Sequence, residues 1–345
     1  MLSVKKIAEI YGGGHLKQSI DQLVSDKKIE SPRKFRSGAI FKKGWDLTEL
    51  PQIGEQIGFI KRPKNPLALS VFTTKGGVLK TFLALNISRI AALHGLKTCV
   101  VGLDMQGDVT NALGFQDHLE GGDDLGEMIS QLNNTKGLFD LFNQQVRIDE
   151  LLVGTDLPNL FLIPETPELV AFNEALTNIN RREYWLKEKV IAPLKNHFDL
   201  IVMDCSPNWN KITTNALVGS DALVSPLECK INNFRNFKVF RHFMSEFKNE
   251  MNMNFESIYI PTRFSTGRKL SMEIKNWYEA NVEGCLKLGI RESVLGEEST
   301  ALKKSLIEHA PNHASAAELR ELLVKVFSSI SSMEKPDNFY ASAPH

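Results

Sequence analysis

The stretch that decides the fold is FTTKGGVLKTFLALN, residues 72–86. It follows an apolar run at 67–72 and opens a helical pattern over 80–94 that Gly95 closes. Strand, glycine turn and helix in that order offer free backbone N–H groups and the positive end of a helix dipole to a polyphosphate. Lys80 is spaced to reach the β- and γ-phosphates, and the Thr81 hydroxyl to ligate Mg²⁺. Yet the phosphate-loop pattern G-x-x-x-x-G-K-[ST] fails at both glycines, because Thr74 and Leu79 occupy those positions. Gly76 and Gly77 still keep the backbone bare where the chain turns. Taken alone, the stretch also fits a glycine turn that binds nothing.

Two later segments weigh against the empty turn. VVGLDMQGDVTNALG (100–114) puts Asp104 at the tip of an apolar strand, and FDLIVMDCSPNWNKITTNAL (198–217) does the same with Asp204. An acid after an apolar strand is how Mg²⁺ is held through water in phosphate-loop enzymes, although a lone strand-end aspartate often only caps a turn. Further apolar runs at 160–163, 222–225 and 258–260 alternate with helical patterns such as 168–179. Runs apolar on both faces predict a doubly wound α/β domain with a mostly parallel sheet, spanning 67–330, whose ligand sits beyond the carboxyl ends of the strands.

The chain of 345 residues is long enough for a second unit. Residues 1–64 carry thirteen Lys/Arg against seven Asp/Glu, a surplus of six; with a net charge of zero overall, the remainder carries minus six. A basic head on an acidic body suits a polyanionic partner or a solvated face. Within 1–60, Ser3 caps a helix, Gly12–Gly14 turn the chain, and 15–24 forms a second helix. A basic β-ribbon over 32–47 and a closing helix with Pro51 in its first turn complete a winged helix-turn-helix outline. Lys17, Gln18, Ser19 and Gln22 would then face a major groove, and Arg33, Lys34 and Arg36 the phosphates. A small helical dimerisation module fits the same pattern. Residues 61–66 read as a linker and 331–345 as a polar tail. The four cysteines have no metal-site spacing and read as buried thiols of a cytoplasmic protein. No run has the length of a membrane span.

The motifs resemble those of the ParA/MinD group. KGGVLKT (75–81) is similar to its deviant Walker A box, LDMQG to its LDPQG-type box and LIVMDCSP to its IIIDTPP-type box. LIPETPEL and YIPTRFSTGRKLSMEI resemble further ParA segments, so the likeness covers about 67–328, and the head resembles the winged helix of the larger plasmid ParA class. In this group the first glycine is normally missing and the mark is an extra lysine, here Lys75. The resemblance implies that Lys75 crosses an ATP-sandwich homodimer to the partner's phosphates. It implies nucleotide contacts from Lys75, Gly76, Gly77, Val78, Leu79, Lys80, Thr81 and Phe82, with Pro261 and Thr262 at the adenine. Asp104 would position the attacking water, Lys75 and Lys80 would neutralise charge, and Thr81 with Asp204 (via water) would hold Mg²⁺. Expected partners are DNA without sequence preference, through Arg268, Lys269 and Lys275, and a ParB-type centromere-binding protein, without a membrane and at the nucleoid. Lys303 and Lys304 are further DNA candidates by charge. Leu79 departs even from the group's pattern; if its φ is positive, its side chain costs about 1–2 kcal/mol. The rival readings are a nucleotide-sensing repressor and a MinD-like membrane ATPase.

Overall fold

A computed structural model describes residues 1–38, 40–115 and 135–332. Eleven strands, β1 (Leu2–Ser3), β2 (Arg33–Ser37), β3 (Ile40–Trp45), β4 (Leu67–Val71), β5 (Thr98–Leu103), β6 (Val153–Gly154), β7 (Leu160–Ile163), β8 (Leu200–Cys205), β9 (Ala222–Glu228), β10 (Glu256–Phe264) and β11 (Ile290–Arg291), form two sheets among the described residues. The large sheet runs β11-β10-β9-β4-β8-β5-β7-β6 and is parallel except for β6 against β7. Side chains of β4 alternate: Leu67, Leu69 and Val71 enter one apolar core, while Ala68 enters the other. Burial on both faces is what the unbroken apolar runs require.

The doubly wound sheet is therefore as expected, with β10 longer than 258–260 and the short edge strands β6 and β11 added. The 168–179 pattern resolves into a helix, Leu169–Ala175, and a 3₁₀ turn, Leu176–Asn178. Past Ser332 the expected tail lies outside the described residues.

The head contains helices Val4–Tyr11 and Leu16–Ser25, the β2–β3 hairpin and the helix Leu50–Ile57, with β1 completing a three-stranded antiparallel sheet. Ser3 caps the first helix through the Lys6 N–H. The head does not swing from a free linker. Its residues Ile7, Ile10, Tyr11 and Ile53 share one apolar core with Leu93 and Leu323 of the large domain. The Tyr11 hydroxyl lies 2.7 Å from the carbonyl oxygens of both Leu50 and Leu93. Gly54 permits this approach, because a Cβ there would collide with the Leu93 carbonyl. Arg62, in the expected linker, pairs with Asp199 at 2.9 Å and donates to the Gly95 carbonyl. Leu93 ends the helix Lys80–Leu93, which begins at the phosphate loop.

Candidate nucleotide site

Register places the site. Val71 of β4 and Gly102 of β5 both pair with Asp204 of β8, so three adjacent strands end at one point. The helix that follows the β4 loop supplies Lys80 and Thr81 from its first turn, and the residue after β5 is Asp104. They open on a cavity of about 920 Å³ lined by Gly76–Phe82, Asp104, Arg263 and residues from 289 to 319. That volume is within the range of small-molecule sites.

Within the loop, the Lys80 ammonium is buried and donates to the Lys75 carbonyl at 3.2 Å. The Thr81 hydroxyl donates to Asp204 Oδ2 at 2.7 Å. Asp204 Oδ1 is fully buried with no hydrogen-bond partner among the described residues. An orphaned carboxylate oxygen beside a threonine hydroxyl suits Mg²⁺ with a bridging water. Burial raises the Asp204 carboxyl to about 7, against the pull of the Thr81 hydrogen bond and Lys80. A bound cation would reverse that shift.

Leu79 has φ 76° and ψ 30°, the left-handed conformation anticipated as the costly case. Gly77, at φ 71°, turns the loop without that cost. Lys75 is exposed and stands apart from the large cavity, beside a small one with Thr74, Asn233 and Asn236.

Several expected contacts lie elsewhere. Pro261 and Thr262 are buried behind the cavity wall, where the Thr262 hydroxyl donates to the Val78 carbonyl at 3.3 Å. The wall itself is Arg263, which the sequence reading passed over. Its φ is 51°, and its guanidinium donates to the Gly77 carbonyl at 2.6 Å with Glu297 at 3.9 Å. Glu165 was also missed. Two residues beyond β7, it accepts hydrogen bonds from Thr110 and from the Asp104 N–H. Burial, with a smaller push from Asp204, raises its carboxyl to about 8. Its place after an apolar run could have marked it as a strand-end acid, but not its partners.

The DNA candidates divide. Lys17, Gln18, Ser19 and Gln22 are exposed on the Leu16–Ser25 helix, and Lys34 and Arg36 on the hairpin. Arg33 is also exposed but pairs with Asp46 at 2.8 Å and with Glu49, contacts that a phosphate would have to displace. Arg268 and Lys269 are exposed, with Glu292 at 3.9 Å and Glu273 at 3.8 Å respectively. Lys275 is a correction: its side chain is only 12% exposed, paired with Glu279 and lying over the Phe264 ring. Lys304 is exposed and Lys303 half-buried.

Sheet, loop and converging acids define a phosphate-loop nucleotide hydrolase. Residues 68–257, more than half of the chain, match the family described as AAA domain, and the chain belongs to that family. It is an ATPase of the ParA and Soj type. The chromosome partitioning protein ParA of Myxococcus xanthus is 27% identical over 219 residues, covering 62% of this chain and 72% of the relative. The chromosome-partitioning ATPase Soj of Treponema pallidum is 28% identical, covering 58% and 72%. Among solved structures, a plasmid partition protein of Borrelia burgdorferi bound to AMPPNP superposes with TM-score 0.61 at 21% identity, over 76% of this chain and 99% of that one. At that identity the likeness shows the fold alone. The family match stops short of the head and of the chain beyond 257.

Proposed function

We propose that the protein is an Mg²⁺-dependent DNA partition ATPase whose ATP-bound form is a sandwich homodimer. That dimer binds DNA without sequence preference, and a ParB-type centromere-binding partner stimulates its slow hydrolysis. The observation that carries the reading is the meeting of Lys80, Thr81, Asp104 and Asp204 at three adjacent strand ends beneath one cavity. In this reading Thr81 and, through water, Asp204 would hold Mg²⁺, which would supply neutralisation of phosphate charge. Lys80 stabilises transition-state charge and Asp104 orients water in line with the γ-phosphate. Lys75, exposed and outside its own cavity, serves the partner's phosphates, so nucleotide binding and dimerisation are coupled. Arg268 and Lys269 contribute to the non-specific DNA face.

The head supports operator binding and autorepression: exposed Lys17 and Gln18 lie on its second helix, and Lys34 and Arg36 on its hairpin. A nucleotide-sensing repressor is the second reading, and strained Leu79 favours it. Phosphate release with and without DNA, together with light scattering, tests the choice. The partition reading expects ATP-dependent dimers and DNA-stimulated turnover lost in Asp104→Ala. ATP binding with no turnover under any condition favours the repressor. Among the described residues no helix is long and apolar enough to cross a membrane.

A further inference from the structure

Glu165 is a buried carboxyl group that lies within the LIPETPEL segment but that none of the phosphate-loop or strand-end motifs assigns to the nucleotide site. It leaves β7 and turns beneath β5, where a Cβ at Gly102 would collide with the Glu165 Cγ. Its Oε1 accepts from the Asp104 N–H at 3.4 Å. Its Oε2 accepts from the Thr110 N–H at 3.1 Å and the Thr110 hydroxyl at 2.9 Å. The Glu165 N–H returns a bond to the Thr110 hydroxyl oxygen at 2.9 Å. Between those two anchors the chain turns through Gly107, at φ 75°, into the short helix Asp108–Ala112. Gly107 has no side chain with which to cap that helix. One of its free first-turn N–H groups is therefore satisfied from another strand, by Glu165.

We propose that Glu165 is a positioning residue for hydrolysis: one carboxyl group grips both ends of the Asp104–Thr110 segment and so fixes where the Asp104 carboxylate meets the attacking water. This rests on the role given to Asp104 above. The Asp104 side chain depends on that fixation, because its own contact within the segment is the Gln106 N–H at 3.3 Å. Misplacing a catalytic group by a fraction of an ångström lowers turnover without weakening a nucleotide held mainly by the loop after β4.

Glu165→Gln tests it with little change of shape. Three donors point at the two carboxyl oxygens, and an amide nitrogen cannot accept, so in place of either oxygen it leaves a donor facing a donor. We expect kcat to fall about tenfold or more while the ATP Kd changes less than about threefold. Thr110→Val, close in shape, removes the hydroxyl from the other side and should lower kcat in the same way. Because both act through one clamp, the double variant should fall no further than the worse single one. Wild-type kcat in either single variant overturns the proposal, as do additive losses or an ATP Kd that weakens in step with kcat. Asp104→Ala runs alongside: full turnover there would remove the role of Asp104 itself. Loss there with an unaffected Glu165→Gln would remove only the clamp.

Discussion

The seam that holds the head and the site that holds the nucleotide both bury polar groups, and they treat them in opposite ways. At the seam the buried charged groups are matched, although His94 Nε2 is buried without a hydrogen-bond partner among the described residues. Just inside the seam, within the large domain, Arg89, 1% exposed, is held by Glu308 at 2.8 Å and Asp156 at 2.7 Å, and the next residue, His309, accepts from Lys6 of the head through its carbonyl. Arg320 donates to the Glu9, Ile10 and Pro311 carbonyls, and the Tyr11 hydroxyl is shared by two more. At the site Asp204 Oδ1 is orphaned, the Asp204 and Glu165 carboxyls are raised, and Leu79 is strained. Matched groups fix a geometry, whereas open ones await a ligand that completes them.

The largest effect should come from breaking the matched side. Burial alone would raise the Glu308 carboxyl, yet the Arg89 guanidinium, with Ser305, holds it below the usual range. Arg89→Leu leaves that charge buried without its partner and should cost about 3–5 kcal/mol in urea denaturation. A loss under about 1 kcal/mol would mean that the seam does not depend on this matching. On the open side, Lys80→Ala should leave stability nearly unchanged while phosphate release falls on the order of 10²-fold or more. An equal loss of stability would erase the distinction between the two regions.

Acidity separates the regions by sign. His94, at the seam between the Tyr11 and Phe59 rings, is buried and its pKa is lowered to about 4. The unfolded chain then binds the extra proton, so this contribution is present above about 6.5 and is lost as pH falls through about 4. Asp204 and Glu165 act in reverse. Their folded pKa values of about 7 and 8 exceed the unfolded ones, so their contribution is present at low pH and lost as pH rises through that range. Denaturation without nucleotide should therefore show stability falling from about pH 5 to 8, and Mg²⁺ with ATP should flatten that slope. An unchanged slope with the ligand would separate these carboxylates from the metal.

How far the sequence could be read follows the same division. The central strands were legible because burial on both faces writes an unbroken apolar run, as in β4, β5 and β8. The convergence was legible where one charged residue follows each strand end, as with Lys80, Asp104 and Asp204. Partners were not legible. Arg33 and Lys275 read as free cations, yet Asp46 and Glu49 claim one, while Glu279 and the Phe264 ring claim the other. The sign of a charge is in the sequence, but its neighbour is decided by how the chain folds back. Glu165 was missed for that reason, since its meaning depends on β5 and β7 lying side by side. The docking of the head was hidden likewise, because its contacts join Tyr11 to Leu93 and Arg320 to Glu9.

The smallest effect sharpens the comparison most. Leu79, at φ 76°, sits at the N-cap of the loop helix, where a Cβ is disfavoured by about 1–2 kcal/mol. The backbone N–H survives in Leu79→Gly, so any gain reflects strain and room beside the phosphates. The leucine also packs, half-buried, against the core shared with the head, so glycine loses some apolar contact while it relieves the backbone. The two terms oppose each other in stability; in binding the conformational term counts only so far as nucleotide holds the loop more firmly in the left-handed turn than the empty loop holds itself. We therefore expect a melting temperature within a few degrees of wild type and an ATP affinity up to about tenfold tighter by calorimetric titration. Unchanged or weaker affinity would mean that the left-handed turn is compatible with tight phosphate binding, and that strain at this position is tuned for something other than nucleotide affinity.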